Sequence, residues 1–254
     1  MGRTRQLLRD GKPALGGWIQ IGHPAVAELM AGEGFDWLCV DLEHTEIDAE
    51  CLRNLALAVR GSPCDLLVRL SSCGPVQAKQ ALDLGADGII VPAVSTAQEA
   101  RRAVEMVNFP PAGRRGASFA RATDYGRNFG PYFRAHNERV IVVVMIETAE
   151  GAANAEAILA TPGIHAAFIG PYDLSASLGH AGELEHPDVR AARGRILAAC
   201  RERGIPPGIH VVPPDAGAVR ACIAEGYRFI ACSVDTQLVL HGCREMLRGI
   251  GPRP

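Results

Sequence analysis

DLLVRLSSCGPVQAKQALDLGADGIIVPAVSTAQEARRAVEMV, residues 65–107, holds two turns of one pattern. Asp65–Leu70 and Gly88–Ala93 are short, nearly continuous apolar runs, as expected of strands buried on both faces. Each is followed by apolar residues three and four apart, over Val76–Leu84 and Ala97–Val107, the spacing of a helix covering one face of a sheet. Strands that alternate with helices of this length must lie parallel, joined by right-handed crossovers.

Outward from this stretch the pattern continues. Further strands are expected at Leu15–Ile21, Trp37–Glu43, Val140–Glu147, Ala166–Gly170, Gly208–Val212 and Phe229–Asp235. Further helices are expected at Ala25–Ala31, Cys51–Val59, Ala152–Leu159, Val189–Arg203 and Ala216–Glu225. Eight such units in a chain of 254 residues predict one α/β domain over residues 1–254, a (β/α)8 TIM barrel. A doubly wound open sheet is the alternative, but after the first strand stands Gly22-His23-Pro24 rather than a Gly-rich fingerprint. One connection, Asn108 to Arg139, is far longer than the rest and rich in proline and glycine. A loop of that length is functional, carries short helices of its own, or serves only as an interface.

Composition narrows the class. Hydrophobic residues make up 48% of the chain, enough for a large core, and the formal net charge is −2. There is no basic excess for nucleic acid, and runs such as Val140–Ile146 fall far short of a membrane span. The arginines among the first ten residues lack the apolar stretch of a signal peptide behind them. Eight cysteines occur without a C-x-x-C pair, several inside apolar segments. They read as small hydrophobes in a reducing cytoplasm rather than as zinc ligands or disulfides.

In a barrel of this kind, chemistry sits where the strands end. Four ends carry charge: Asp41-Leu42-Glu43-His44, Val68-Arg69-Leu70, Met145-Ile146-Glu147 and Gly170-Pro171-Tyr172-Asp173. Glu147 and Asp173 follow neighbouring strands, so their carboxylates can reach one cation. Carboxylates without histidine or cysteine favour a hard divalent ion, magnesium or manganese, with open positions for a bidentate 2-oxo acid. The alternative for Glu147 is to cap the helix beginning near Ala149. His44, three residues after Asp41, can serve as a general base. Arg69 can stabilise an enolate oxygen, or instead form a salt bridge to Asp41 or Glu43. His23, His136, His165, His180, His186, His210 and His241 are assigned to surface or packing roles.

These residues resemble a known family, the HpcH/HpaI aldolases, or class II pyruvate aldolases. Gly34-Phe35-Asp36-Trp37-Leu38 leading into Asp41-Leu42-Glu43-His44 is similar to its signature, as is Leu82-Asp83-Leu84-Gly85-Ala86-Asp87-Gly88 followed by Val91-Pro92-Ala93-Val94. So are Phe109-Pro110-Pro111-Ala112-Gly113-Arg114-Arg115-Gly116 and the block from Phe168 through Asp173 to Gly179. The resemblance implies a divalent metal (magnesium or manganese, with cobalt as a further option) on Glu147 and Asp173. It implies a pyruvate-binding Arg69, a catalytic base His44 and an acidic partner Asp41. Asp83 would reach the active site across a subunit boundary. Amides near Gly170, Tyr172 and Asp173 would hold the substrate carboxylate, with Trp18 near the pocket mouth. Substrates would be a 4-hydroxy-2-oxo acid, or its 2-oxo acid and aldehyde halves. The chain would form a homo-oligomer, trimer or hexamer, exchanging its C-terminal helix, residues 236–250. A related metal-enolate lyase, an oxaloacetate-type decarboxylase, and a non-catalytic barrel are the alternatives. One departure stands out: Met145 occupies a position where the family usually has glutamine, and a thioether cannot replace an amide's hydrogen bonds.

Overall fold

The structure, a computed structural model, describes residues 2–250. Its strands are β1 (Ala14–Ile19), β2 (Trp37–Asp41), β3 (Asp65–Arg69), β4 (Gly88–Val91), β5 (Ile141–Ile146), β6 (Ala166–Ile169), β7 (Pro207–Val211) and β8 (Phe229–Val234). They pair in parallel, in chain order, and close β8 onto β1. The expected barrel is therefore the fold. Every expected strand is present, with ends that differ by one or two residues.

The helices of the first half are α1 (Arg3–Arg9), α2 (Pro24–Gly32), α3 (Ala49–Ala58), α4 (Pro75–Asp83), α5 (Ala97–Val107) and α6 (Phe129–Arg139). The second half adds α7 (Ala149–Ala153), α8 (Ala155–Leu159), α9 (Pro171–Ser177), α10 (Pro187–Arg203), α11 (Ala216–Glu225) and α12 (Asp235–Ile250). α5 shows why local sequence suffices here: Thr96 accepts from the Glu99 amide, the Glu99 carboxylate reaches back to the Thr96 amide, and an apolar stripe follows. The single helix expected over Ala152–Leu159 is instead two, broken at Asn154, whose side chain donates to the Ser95 carbonyl at 2.9 Å.

Two apolar layers result from strands whose side chains alternate in and out. Outward residues such as Val40, Val68, Ile89, Val142 and Ile169 meet the helices. Inward residues, among them Trp18, Trp37, Ile90, Met145, Phe168 and Phe229, fill the barrel itself. Leu8 of α1 joins that inner cluster, so α1 is packed on the barrel interior. Met145 is thus a packing residue of the apolar barrel interior, 3% exposed beside Phe168 on the next strand.

The long connection is ordered around α6 and a 3-10 turn at Arg121–Thr123. Gly130 and Pro131 read as breakers in the sequence, yet proline is tolerated in the first turn of a helix. Because it joins the end of α5 to the start of β5, this segment lies at the N-terminal end of its own barrel. Arg115 anchors it, 2.7 Å from Asp83 and stacked over Phe109 at 4.7 Å. α12 buries only Asp235 and leaves Val239, Leu240, Met246, Leu247 and Ile250 exposed. All eight cysteines are unbridged. Among the described residues no helix is long and apolar enough to cross a membrane.

Candidate active site

The C-terminal ends of β2 and β3 lie side by side, with Asp41 in register with Arg69. Their side chains form a bidentate pair: Arg69 Nε donates to Asp41 Oδ1 at 3.0 Å and Nη2 to Oδ2 at 2.6 Å. Arg69 Nη1 also lies 2.9 Å from Glu43 Oε2. Burial pushes the Asp41 carboxyl up, but hydrogen bonds and charge from Arg69 prevail and hold it below the usual range. A guanidinium has five N–H donors. Three are used in these bonds, leaving two for a ligand. The salt bridge and the ligand-binding role are thus compatible.

Asp41 does not touch the His44 imidazole. It accepts from the amides of Glu43 and His44, at 3.0 and 3.3 Å, and so holds the turn. The His44 ring is 59% exposed, with Nε2 3.7 Å from Glu43 Oε2. Orientation of the ring by Asp41 is therefore replaced by support of its backbone.

Glu147 follows β5 and is 6% exposed. Thr148, not Glu147, caps α7, accepting from the Gly151 amide. Glu147 turns instead toward the Ala93 amide, which donates to Oε1 at 2.7 Å. Its other oxygen, Oε2, is buried without any hydrogen-bond partner. Burial raises the Glu147 pKa to about 7; the Ala93 amide opposes this, while the charges of Asp173 and Glu43 reinforce it. Asp173, in the first turn of α9, and Glu43 therefore share its electrostatic field. A Cβ at Gly170 would collide with Glu147 Oε2, so glycine at this position leaves room for the carboxylate.

Trp18 lies behind Arg69, whose guanidinium carbon sits 5.2 Å from the indole centre. On its other contacts Trp18 stacks on His210 at 5.1 Å. Burial lowers the His210 pKa to about 4, so its ring is neutral. Gln20 and Asp235 were not expected at the mouth. Gln20 Nε2 donates to Asp41 Oδ2 at 3.1 Å, and Asp235 accepts from the amides of Gln20 and Ile21. Asp235 ended an expected strand, as Glu43 did, and that position was the available signal.

Asp83 is not in this group. It ends α4, which returns to the opposite end of the barrel, and accepts from Arg115 Nη2 at 2.7 Å and Ser118 Oγ at 2.9 Å. Glu147 Oε2, buried without a partner and under the charge of the exposed Asp173, is an atom that needs a cation. Two oxygen donors at a barrel mouth fit a hard divalent ion that keeps other positions open.

Comparison with known proteins places the chain in a family. The profile of the family described as HpcH/HpaI aldolase/citrate lyase matches residues 15–242. A 4-hydroxy-2-oxo-heptane-1,7-dioate aldolase of Shigella sonnei is 38% identical, covering 96% of this chain and 93% of the relative. One from Salmonella dublin is 37% identical, covering 97% and 94%. A solved HpcH/HpaI aldolase/citrate lyase family protein from Burkholderia cenocepacia superposes with a TM-score of 0.94 at 36% identity, covering 99% of this chain and all of that one.

Proposed function

The chain belongs to the HpcH/HpaI aldolase/citrate lyase family, and from that premise we propose a divalent-metal-dependent class II pyruvate aldolase acting on 4-hydroxy-2-oxo acids. The observation that carries this reading is Glu147 Oε2, buried and unpartnered after β5, with the charge of Asp173 acting on it from the first turn of α9. Glu147 and Asp173 would hold the ion, magnesium or manganese by their donor chemistry. When bound, it supplies Lewis-acid polarisation of the substrate's keto and carboxylate oxygens.

The chain's own residues do the rest. Arg69, clamped by Asp41 and Glu43, presents its two remaining N–H groups to the oxygen on which enolate charge develops. The clamp fixes the fork before substrate arrives, so little reorganisation accompanies the reaction. First-turn amides of α9, at Tyr172 and Asp173, have no partner within the helix and face the substrate carboxylate. Trp18 shields the inner side of Arg69 from water. His44, exposed toward the acceptor side, takes the hydroxyl proton of the 4-hydroxy acid in cleavage and returns it in synthesis.

The same reading makes the protein a homo-oligomer in which Asp83 of one subunit completes the mouth of another. Two facts support it: Asp83 stands apart from its own barrel's mouth, and α12 exposes five large apolar side chains. The unbridged cysteines suit a reducing compartment such as the cytoplasm. Deuterium exchange into pyruvate and cleavage of 4-hydroxy-2-oxo acids, each with and without added metal, test the proposal. Glu147→Ala and Asp173→Ala should abolish both activities while the circular dichroism spectrum is kept. Metal-independent cleavage, or full activity in either variant, refutes it. Oxaloacetate decarboxylation without any aldol activity would favour the decarboxylase alternative.

A further inference from the structure

The loop between α9 and α10 follows directly on the helix that bears Asp173, and it gathers a second, chemically different set of donors. Ligand atoms of His180, Glu183 and His186 all lie within 4.8 Å of one another. Among the described residues it is the one such grouping of three. Read residue by residue, the sequence assigned both histidines to surface or packing roles.

Backbone geometry explains the convergence. The His180 amide donates to the Ser175 carbonyl at 2.8 Å, Glu183 to His180 at 2.9 Å, and His186 to Glu183 at 3.0 Å. Successive three-residue turns bring residues 180, 183 and 186 to the same side. Ser175 is fully buried, and its hydroxyl accepts from the Gly182 amide at 2.9 Å, tying the loop to α9. Gly179 and Gly182 supply left-handed turns, at φ +84° and +83°. As a result the two imidazoles stack with centroids 3.4 Å apart.

We propose that His180, Glu183 and His186 form a binding site for a transition-metal ion of the zinc, cobalt or nickel type, separate from the Glu147–Asp173 site. Two imidazoles and one carboxylate are a borderline-soft donor set, unlike the all-carboxylate mouth. Zinc–ligand bonds of about 2.0–2.2 Å in a tetrahedral array put donors roughly 3.4 Å apart. To bind, the two stacked rings must swing apart so that their lone pairs converge on the ion.

Asp188 completes the arrangement from outside. Its Oδ2 lies 3.2 Å from His180 Nε2, so that nitrogen can carry the proton while Nδ1 offers its lone pair. His186 Nδ1 accepts a long 3.3 Å bond from the Asp188 amide and sits 3.7 Å from Oδ2. Coordination through Nε2 would move the His186 proton to Nδ1, exchanging that bond for one to the carboxylate. The ion would then tie the start of α10 to the exit of α9.

Zinc titration of the purified full-length protein, by calorimetry in excess magnesium, tests this, alongside the visible spectrum of bound cobalt. Wild type should take up one zinc per chain, gain thermal stability from it, and give an intense tetrahedral cobalt spectrum. Glu147→Ala should retain this uptake. The double variant His180→Gln with His186→Asn should lose it, and Asp188→Asn should weaken it about ten- to a hundredfold. Asparagine at residue 186 keeps an acceptor for the helix start, so the fold is preserved. No uptake by wild type overturns the proposal, as does uptake unchanged in the double variant. So does uptake lost in Glu147→Ala but kept in the double variant, which would place the ion in the barrel mouth.

Discussion

Replacing Glu147 with glutamine separates the electrostatic cost of this carboxylate from its use. In the metal-free protein its pKa is about 7, against 4.5 for a free glutamate side chain. A raised carboxylate pKa means that the folded state holds the proton more tightly than the unfolded chain. Between these values the unfolded state therefore binds fewer protons, and stability falls as pH rises. At 1.36 kcal/mol per unit, ionisation of Glu147 costs about 0.8 kcal/mol at pH 5, about 2 at pH 6 and about 3 at pH 7 to 8. Glu147→Gln keeps an oxygen for the Ala93 amide and never ionises. Relative to wild type, chelator-treated Glu147→Gln should thus gain stability with pH, by about 2 to 3 kcal/mol between pH 5 and 8. Urea unfolding at several pH values, at one fixed protein concentration, measures the difference. Added magnesium should stabilise wild type at pH 8 and leave the variant unchanged. Parallel stability curves for the two proteins across pH 5 to 8 would refute the burial argument. Equal stabilisation by magnesium would refute the ligand assignment.

Other expectations follow from the same contacts. Arg69→Ala should lower kcat/KM about a hundredfold or more, with Arg69→Lys recovering part of it, in steady-state assays. It should also cost about 3–5 kcal/mol of stability in unfolding experiments, because Asp41 would be left buried and unpaired. Gly170→Ala should displace Glu147 and weaken magnesium binding, measured by calorimetry, with the barrel's circular dichroism retained. His44→Ala should lose most aldol cleavage, together with the rise in rate through an apparent pKa near 6 to 8 seen in a pH–rate profile; an unchanged profile would return this ring to a surface role.

The barrel was legible because each unit carries its own period. Val140–Ile146 has the length and β-branched composition of a strand buried on both faces, and Thr96–Val107 carries both cap and apolar stripe. Breaks in that local agreement are where element bounds escaped the sequence. The long connection does carry a helix of its own, one of its expected options, but α6 runs through Gly130 and Pro131, and Asn154, bonded to Ser95, divides a pattern expected as one helix. Neither fact is visible to a window moving along the chain, because each depends on a partner or a position within the turn.

The mouth divides on the same principle. Charged residues at strand ends pointed to Asp41, Arg69, Glu147 and Asp173, since strand ends in a barrel converge whatever the helices do. Which atoms meet was beyond the sequence. Asp41 serves Arg69 and two amides instead of the His44 ring, and Glu147 spends one oxygen on Ala93, leaving the other unpaired. Both outcomes follow from burial. A fully buried carboxylate must find donors for its oxygens, and the nearest guanidinium and amides meet Asp41's need completely. Glu147 has only one amide in reach. The unequal satisfaction of two buried acids at one barrel end is what separates a positioning residue from a ligand, and it argues for Glu147 as the residue to which a cation is owed.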